Sequence, residues 1–507
     1  VPVNFRLAPG ETAHLLKDSA PLVYIFAAGN AANALEATQM SALSPALLAV
    51  DGEQPHSPTG ADSAGADSAG ADSAGVKSFD DAVAATTRRE VSLPEDFSIY
   101  EETTRLYTSG TTGMPKGVPL PSLVEVMSAH DVIMHFPITP SDRTLNMTPW
   151  FHRGGLYSGG PNPLFYAGGS VVPLRSFDPD LVLDWVEQYD ITFLIGAPVT
   201  LQMLANAQEA KPRDLSRLRG IVTMGAPLSR AAALRYQQVL NDRIFNGYGT
   251  TEAFWNTFLR PEDLPEHAGT AGRACTDDDV AVVKLFEDRH AEPHEHAARD
   301  GVEAGEVIMR SPKSGFSYAN MPEKDEEKFH QGWLYPGDIA TWDEGGYVTI
   351  LGRKDDMIIS GGENVHPVQV EEVLVEHPAV RDAVIVGVPD ERWGQKVVGY
   401  VIADGDPVPV EELDRHCREH PSLANFKRPR AYRFVDEVPL TATGKKMHFQ
   451  VAATAVDDDE AGRLLAPDGA EGAAGADGAT GDGAAGATGA GAPASRESTA
   501  PGGDGRA

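Results

Sequence analysis

Leu106-Tyr107-Thr108-Ser109-Gly110-Thr111-Thr112-Gly113-Met114-Pro115-Lys116-Gly117-Val118 is the stretch on which the reading of this chain turns. Its thirteen residues carry three glycines, five hydroxyl or phenol side chains and one lysine, directly after the apolar and aromatic start of a strand. Glycine lets a backbone turn sharply and approach a ligand closely. Successive backbone N–H groups in such a turn form a concavity for anions. Hydroxyls add donors, and Lys116 adds a compact positive charge suited to phosphate. Composition alone would describe a flexible loop; the order of the residues describes a phosphate cradle. It is not the P-loop of nucleotide triphosphatases, because no Gly-Lys-Ser/Thr occurs in it.

Around this stretch lie 507 residues, enough for two or more domains, with a hydrophobic content of 41% that fits a globular protein. No run of eighteen apolar residues occurs, so no membrane span is expected. Val1-Pro2-Val3-Asn4-Phe5-Arg6 lacks the charged-then-apolar pattern of a leader. Cys275 and Cys417 make no disulfide framework or metal cluster, which points to a reducing cytosol. Cys417 follows Leu413 and Val410 at helical spacing and reads as a core residue. The net charge of -32 excludes a nucleic-acid surface. Residues 455–507 contribute only -7 of it, from ten acids and three arginines, so most of the acidity is spread over the rest. A dispersed acidic surface with arginine favoured over lysine is the pattern expected of a protein that works in high salt.

The chain begins as α/β, with helices over Thr12 to Lys17 and Ala31 to Gln39 around a strand at Leu22–Phe26. Residues 61–75 are three copies of Ala-Asp-Ser-Ala-Gly, without large apolar side chains to offset ordering entropy, so 52–76 reads as a disordered insertion. Strands are expected at Ser170–Leu174, Ile191–Ile195, Gly220–Met224 and Arg243–Phe245, with a helix over Asp180 to Gln188 whose Leu181, Val182, Leu183 and Val186 supply a buried face. Strand–helix–strand at this spacing predicts a mostly parallel, helix-covered sheet. A smaller α/β unit follows residue 353, with a helix starting at Pro367 and strands at Ala383–Val388 and Val397–Ile402. From about residue 455 small and polar residues dominate, and a disordered acidic tail is expected.

Further stretches carry chemistry. Asn246-Gly247-Tyr248-Gly249-Thr250-Thr251-Glu252 is a Gly-rich turn offering an aromatic ring, hydroxyls and a carboxylate able to ligate Mg²⁺ through oxygen. Trp333-Leu334-Tyr335-Pro336-Gly337-Asp338 ends in a carboxylate that can accept from two hydroxyls at once. Gly352-Arg353-Lys354-Asp355-Asp356 and Pro439-Leu440-Thr441-Ala442-Thr443-Gly444-Lys445-Lys446 follow.

In this order the stretches resemble the adenylate-forming superfamily of acyl-CoA synthetases, luciferases and peptide-synthetase adenylation domains. The resemblance runs from residue 1 to about 450 and implies an α/β fold: a large multi-sheet N-terminal adenylation domain, 1–353, plus a smaller mobile α+β C-terminal domain, 354–454. It implies that several dozen residues of the family's N-terminal domain precede Val1. It assigns Thr108, Ser109, Gly110, Thr111, Thr112, Gly113 and Lys116 to ATP phosphates, and Gly225-Ala226-Pro227 to the edge of the adenine. Asn246, Gly247, Tyr248 and Gly249 fall in the nucleotide site, with Tyr248 stacking on adenine, Thr251 reaching a phosphate and Glu252 holding Mg²⁺. Asp338 falls on the ribose hydroxyls, Arg353 on the nucleotide, and Asp355 on the hinge of the small domain. Gln331 and Pro336 depart from the family pattern and leave Asp338 in place.

Lys445 takes the place of the catalytic lysine, which neutralises charge as pyrophosphate leaves. Lys446 stands where an apolar residue is usual, which leaves a shift of one residue open. In the small domain, Gly361 and Gly362 match a pantetheine passage, and Trp393, Phe426, Arg428 and Arg430 match contacts to the nucleotide end of coenzyme A. His152, in Trp150-Phe151-His152-Arg153, matches the gate beside the acyl pocket, and no aspartate for an amine is found there. The implied activity is ATP-dependent ligation of a small carboxylic acid, fatty or aromatic, to CoA in the cytoplasm, with a homodimer left open. The alternatives are a carrier-protein thiol as acceptor, or an inactive remnant that only binds.

Overall fold

The computed structural model describes residues 1–50, 75–87, 94–108, 115–286, 289–421, 423–441 and 444–467. The opening stretch forms a two-stranded antiparallel hairpin, Glu102–Thr108 with Lys116–Pro121, in which Thr108 pairs with Lys116. Ser109, Gly110, Thr111, Thr112 and Gly113 lie outside the described residues. Leu106, Val118 and Leu120 bury one face of the hairpin in the main core. Tyr107 donates its hydroxyl to Asp18 Oδ2 at 2.6 Å, tying the hairpin to the helix Pro9–Ser19.

The main sheet has seven strands in the spatial order Arg273–Ala274, Phe254–Leu259, Ile244–Thr250, Gly220–Met224, Phe193–Gly196, Arg143–Asn146, Ser170–Val172. The last five pair in parallel, as the strand–helix–strand spacing predicts, and the first two join antiparallel. The helix Pro179–Gln188 buries Val182, Leu183 and Val186 against this sheet, whereas Leu181 points outward and is 38% exposed. The strand expected at Arg243–Phe245 is longer than expected: it runs on through Thr250, so Asn246–Gly249 is extended backbone and not a turn. A three-stranded parallel sheet, Val23–Ala27, Ala46–Val50 and Val76–Ser78, precedes the hairpin. Val76 starts its last strand and so belongs to the fold; residues 51–74 of the expected insertion lie outside the described residues. A six-stranded sheet carries Asp338–Trp342 beside Val348–Arg353.

The small domain is built on the long antiparallel pair Val380–Asp390 and Gly394–Ala403, flanked by Ala431–Phe434 and the hairpin Ile358–Ser360/Glu363–Val365. The helix Pro367–Val375 buries Val370, Val373 and Leu374 on it, and Cys417 is fully buried in the same core. The expected tail start at residue 455 is corrected by the helix His448–Glu460. Two of its four acids are paired: buried Asp458 accepts from Tyr400 at 2.6 Å and pairs with Arg433 and Arg463, and Asp459 pairs with Lys396 at 2.6 Å. The chain then bridges Leu465 to Tyr432. Paired acids on an inner face look like solvated tail in composition, which is why the sequence misplaced this boundary.

Two buried ionic groups organise the domains. In the large domain the Lys313 ammonium lies 2.9 Å from both Asp131 and Asp278. Asp131, His135 and Cys275 come together there like metal ligands, but this lysine supplies the cation. In the small domain Lys446 lies 2.9 Å from Glu371 and 2.8 Å from Asp382, and His448 lies 2.6 Å from Glu371. Burial pushes Glu371 up, but Lys446 and His448 outweigh it and hold the carboxylate at about 2. A depressed carboxylate stabilises the fold fully above its unfolded value near 4.5, and that contribution is lost as pH falls through the range from 4.5 to about 2. In acid titrations of stability, the wild-type chain is therefore expected to weaken across this window. Glu371→Gln should show a shallower slope there; an unchanged slope would remove Glu371 from the account.

Candidate active site

The strand pair Ile244–Thr250 and Phe254–Leu259 turns at Thr251–Ala253, and the turn places Thr251 and Glu252 at the sheet end. Phe254 closes it with φ 64, a left-handed conformation that costs a bulky residue about 1–3 kcal/mol. Arg153 holds the turn from beneath. It is buried, donates from Nη1 to the Thr251 carbonyl at 2.6 Å and from Nη2 to the Lys313 carbonyl at 2.7 Å. It also lies 5.2 Å from the Phe254 ring. Burial lowers its guanidinium to about 10. Tyr318 donates its hydroxyl to Glu252 Oε1 at 2.6 Å, and Gly315 N–H donates to the Glu252 carbonyl at 3.0 Å. The same Tyr318 ring lies 5.6 Å from the Lys116 ammonium. Burial lowers Lys116 from its ordinary value, and nearby Lys324 and Lys328 add to this. The base of the Gly/Thr loop and the carboxylate matched to Mg²⁺ thus meet across one tyrosine.

Asp338 begins its strand after the turn Pro336–Gly337, whose Gly337 N–H donates to the buried Glu306 at 3.2 Å. The Asp338 carboxylate accepts from Tyr248 at 2.6 Å on one oxygen and from Arg353 at 2.8 Å on the other. Each oxygen keeps a further lone pair, so the carboxylate can still accept ribose hydroxyls. The Tyr248 ring is half-buried and anchored by this bond rather than freely exposed. Arg353 Nε is buried without a hydrogen-bond partner among the described residues. Asp355 follows two residues later, largely exposed, with one oxygen 3.9 Å from Arg353.

Lys445 enters this cleft from the small domain. Its Cε lies 4.0 Å from where a Cβ on Gly225 would stand, which places it beside Gly225-Ala226-Pro227. Preceding it, Gly444 adopts φ 79, and a Cβ there would meet Val199 Cγ1 of the large domain at 2.7 Å, so only glycine fits. Burial lowers the Lys445 ammonium from its ordinary value, while Asp338 and Glu252 pull it back up. The cleft stays open to water, so Lys445 is reachable by solvent although protein surrounds it closely. Lys446 points the other way, into Glu371, Asp382 and the Ala383 carbonyl. Of the two adjacent lysines, Lys445 therefore faces the large domain and Lys446 faces the interior of its own.

His152 caps the start of the short helix Arg153–Tyr157 and packs against Phe151 with ring centroids 4.6 Å apart. Burial pushes its imidazole down to about 4, with Lys445 and Arg6 adding to the shift, and its Nε2 is buried with no hydrogen-bond partner among the described residues. A neutral ring with an unused nitrogen beside Lys445 fits a wall that meets an acyl group.

On the small domain, Gly361, Trp393 and Arg430 form one group. Gly361 takes φ 62 and a Cβ on it would touch the Trp393 ring at 3.0 Å; Arg430 and Arg392 lie 5.2 and 4.9 Å from that ring. Gly362 follows with φ 85, and Phe426 is partly exposed nearby in sequence to Arg430. Arg428 differs from its expected role. It is 3% exposed, with Nε donating to Asp414 at 2.8 Å, so its charge is engaged inside the domain and does not face a phosphate. Arg153, Tyr318 and Glu306 were not singled out by the sequence.

With this geometry in place, the comparisons agree on the family. The model of the AMP-binding enzyme family matches residues 1–318, and that of the AMP-binding enzyme C-terminal domain matches 369–445. A feruloyl-CoA synthase of Amycolatopsis sp. is 33% identical over 460 residues, covering 89% of this chain and 82% of that protein. A 4-chlorobenzoate–CoA ligase of Arthrobacter sp. is 33% identical over 369 residues, covering 71% of this chain and 66% of that protein. Among solved structures, the o-succinylbenzoate coenzyme A synthetase of Bacillus subtilis, in complex with ATP and a magnesium ion, superposes with a TM-score of 0.71 at 26% identity, covering 88% of this chain and 82% of that one. The chain belongs to the AMP-binding, adenylate-forming enzymes.

The two adjacent lysines are separable by substitution. Lys445→Ala is expected to slow acyl-adenylate formation by about 10²–10³ while sparing thioester formation from added adenylate. Lys446→Met should instead lower stability by up to about 3 kcal/mol, because Glu371 is left with His448 as its only cation. Partial-reaction kinetics and denaturant melts check this; equal loss of both half-reactions in Lys445→Ala would contradict it.

Proposed function

We propose that this enzyme is an ATP-dependent acid–CoA ligase acting on an aromatic carboxylic acid. The observation that carries the proposal is the convergence of Lys445, from the small domain, with Asp338 and Glu252 of the large one. In the first step an acid oxygen attacks the α-phosphorus of ATP, the bond to the β-phosphate oxygen breaks, and pyrophosphate leaves. Lys445 neutralises the charge that develops as pyrophosphate leaves. Asp338 and Arg353 orient the nucleotide, and the Thr108–Gly113 stretch with Lys116 grips the outer phosphates. Glu252 fits Mg²⁺ by its chemistry: a carboxylate with one oxygen bonded by Tyr318 keeps acceptor capacity for a hard cation. The ion would offset phosphate charge.

In the second step the small domain turns about Asp355 and withdraws Lys445. The CoA thiol then attacks the adenylate carbonyl, AMP leaves, and the thiol proton passes to solvent. Gly361, Gly362, Trp393, Phe426 and Arg430 are the residues proposed to meet CoA; the buried Arg428 is not among them. Splitting one hard acylation into two activated steps is the logic of covalent intermediates. An aromatic acid is favoured by the relatives that act on ferulate and 4-chlorobenzoate, and by the Phe151–His152 wall.

ATP–pyrophosphate exchange over a panel of aryl and fatty acids is the test. Exchange is expected with aryl acids and without CoA, and AMP release is expected to become fast only when CoA is added. A preference for fatty acids would overturn the aromatic assignment. Exchange that is unaccompanied by CoA-dependent AMP release would point to another thiol acceptor, and no exchange with any acid would point to a binding remnant.

A further inference from the structure

A cleft of about 330 Å³ opens at the strand ends opposite the nucleotide side, between the edge strand Arg273–Ala274, the end of Phe254–Leu259 and the turn that follows Asp338–Trp342. Asp338 starts its strand at the catalytic cleft and Trp342 ends it here. At about 3.3 Å per residue the two places are roughly 13 Å apart along that strand.

Three guanidinium groups line the cleft: Arg260, Arg273 and Arg299. Arg299 is stacked 4.1 Å from the Trp342 ring and Arg273 is 4.9 Å from the Tyr347 ring. Arg260 lies 3.1 Å from His135 Nδ1, and since arginine can only donate, the imidazole nitrogen accepts. Stacking and an imidazole fix these groups in place without cancelling their charge. Among the described residues neither Arg260 nor Arg299 has a carboxylate at ion-pair distance, and both carry exposed surface. The acid that lines the cleft, Asp263, is 3.8 Å from Arg273, and its oxygens already accept from Tyr347 at 2.6 Å and from the Arg260 backbone at 2.9 Å.

In a chain with 74 acids and 42 lysines and arginines, positive charge is scarce. Three arginines gathered round one engaged aspartate repel each other, and an anion in the cleft relieves that repulsion with bidentate bonds. We propose that this cleft is a second ligand site, distinct from the nucleotide cleft, for a small polyanion bearing either a phosphate or two carboxylates. Phe258 and Trp342 supply an apolar wall for the rest of the ligand.

Calorimetric titration of the full chain in dilute buffer, with saturating Mg·ATP filling the catalytic cleft, tests the site. Inorganic pyrophosphate and phthalate serve as the two probes. At least one is expected to bind the wild-type chain, and Arg260→Gln/Arg299→Gln should weaken it at least tenfold while leaving Mg·ATP affinity within twofold. Arg299→Gln alone, at an exposed side chain, should weaken it in the same sense if the double variant folds poorly. Loss of pyrophosphate binding names a phosphate ligand, and loss of phthalate binding a dicarboxylate. The proposal is overturned if neither probe binds the wild type, or if both variants bind the probe as the wild type does.

Discussion

The contact of Lys446 with Glu371, Asp382 and the Ala383 carbonyl anchors the end of the loop that carries Lys445, and so fixes the direction in which Lys445 leaves the small domain. Both neighbouring side chains are lysines, and nothing in their own chemistry separates them. What separates them is a buried carboxylate: a cation that pairs inside the small domain cannot also reach across to Asp338. Removing one partner of such a pair leaves an unpaired buried charge, so the register of the loop is strongly enforced. Lys445 is left with no ion-pair partner in its own domain among the described residues, and it meets the nucleotide side of the large domain instead.

The large domain prepares its side by a similar use of internal ties. Arg153 lies beneath the Thr251–Glu252 turn and binds two backbone carbonyls, while Tyr318 orients Glu252 from the opposite side. Asp338 is held on one oxygen by Tyr248 and on the other by Arg353. Groups fixed in advance need not be reorganised when charge develops during the reaction, which is where enzymes gain most from electrostatics. The left-handed Phe254 next to this turn is backbone strain kept at a site where the surrounding ties over-determine it.

Local patterns in the sequence carried the parallel sheet, the strand that leads into the Gly/Thr stretch, and the ordered series of glycine- and acid-containing motifs. They did not carry partners far apart in the chain. Arg153 and Thr251 are 98 residues apart, and Tyr318 and Glu252 are 66 apart, so neither pairing leaves a periodic or spacing signal. Arg428 shows the converse. Next to Phe426 and Arg430 it looks like part of a basic patch, yet one aspartate fourteen residues earlier turns it inward. The helix His448–Glu460 was hidden because Asp458 and Asp459 are neutralised by Arg433, Arg463 and Lys396, which composition cannot reveal. Whether a charge is solvated or paired is a property of the fold.

The central claim is that the acid attacks the α-phosphorus of ATP and later departs from AMP as a thioester. An aryl acid labelled with ¹⁸O in its carboxylate, turned over with ATP and CoA, reports this directly by mass spectrometry of the nucleotide product. The account predicts AMP carrying one ¹⁸O, passed from the acid when the thiol displaces it. Unlabelled AMP, or ADP with labelled phosphate, would contradict it.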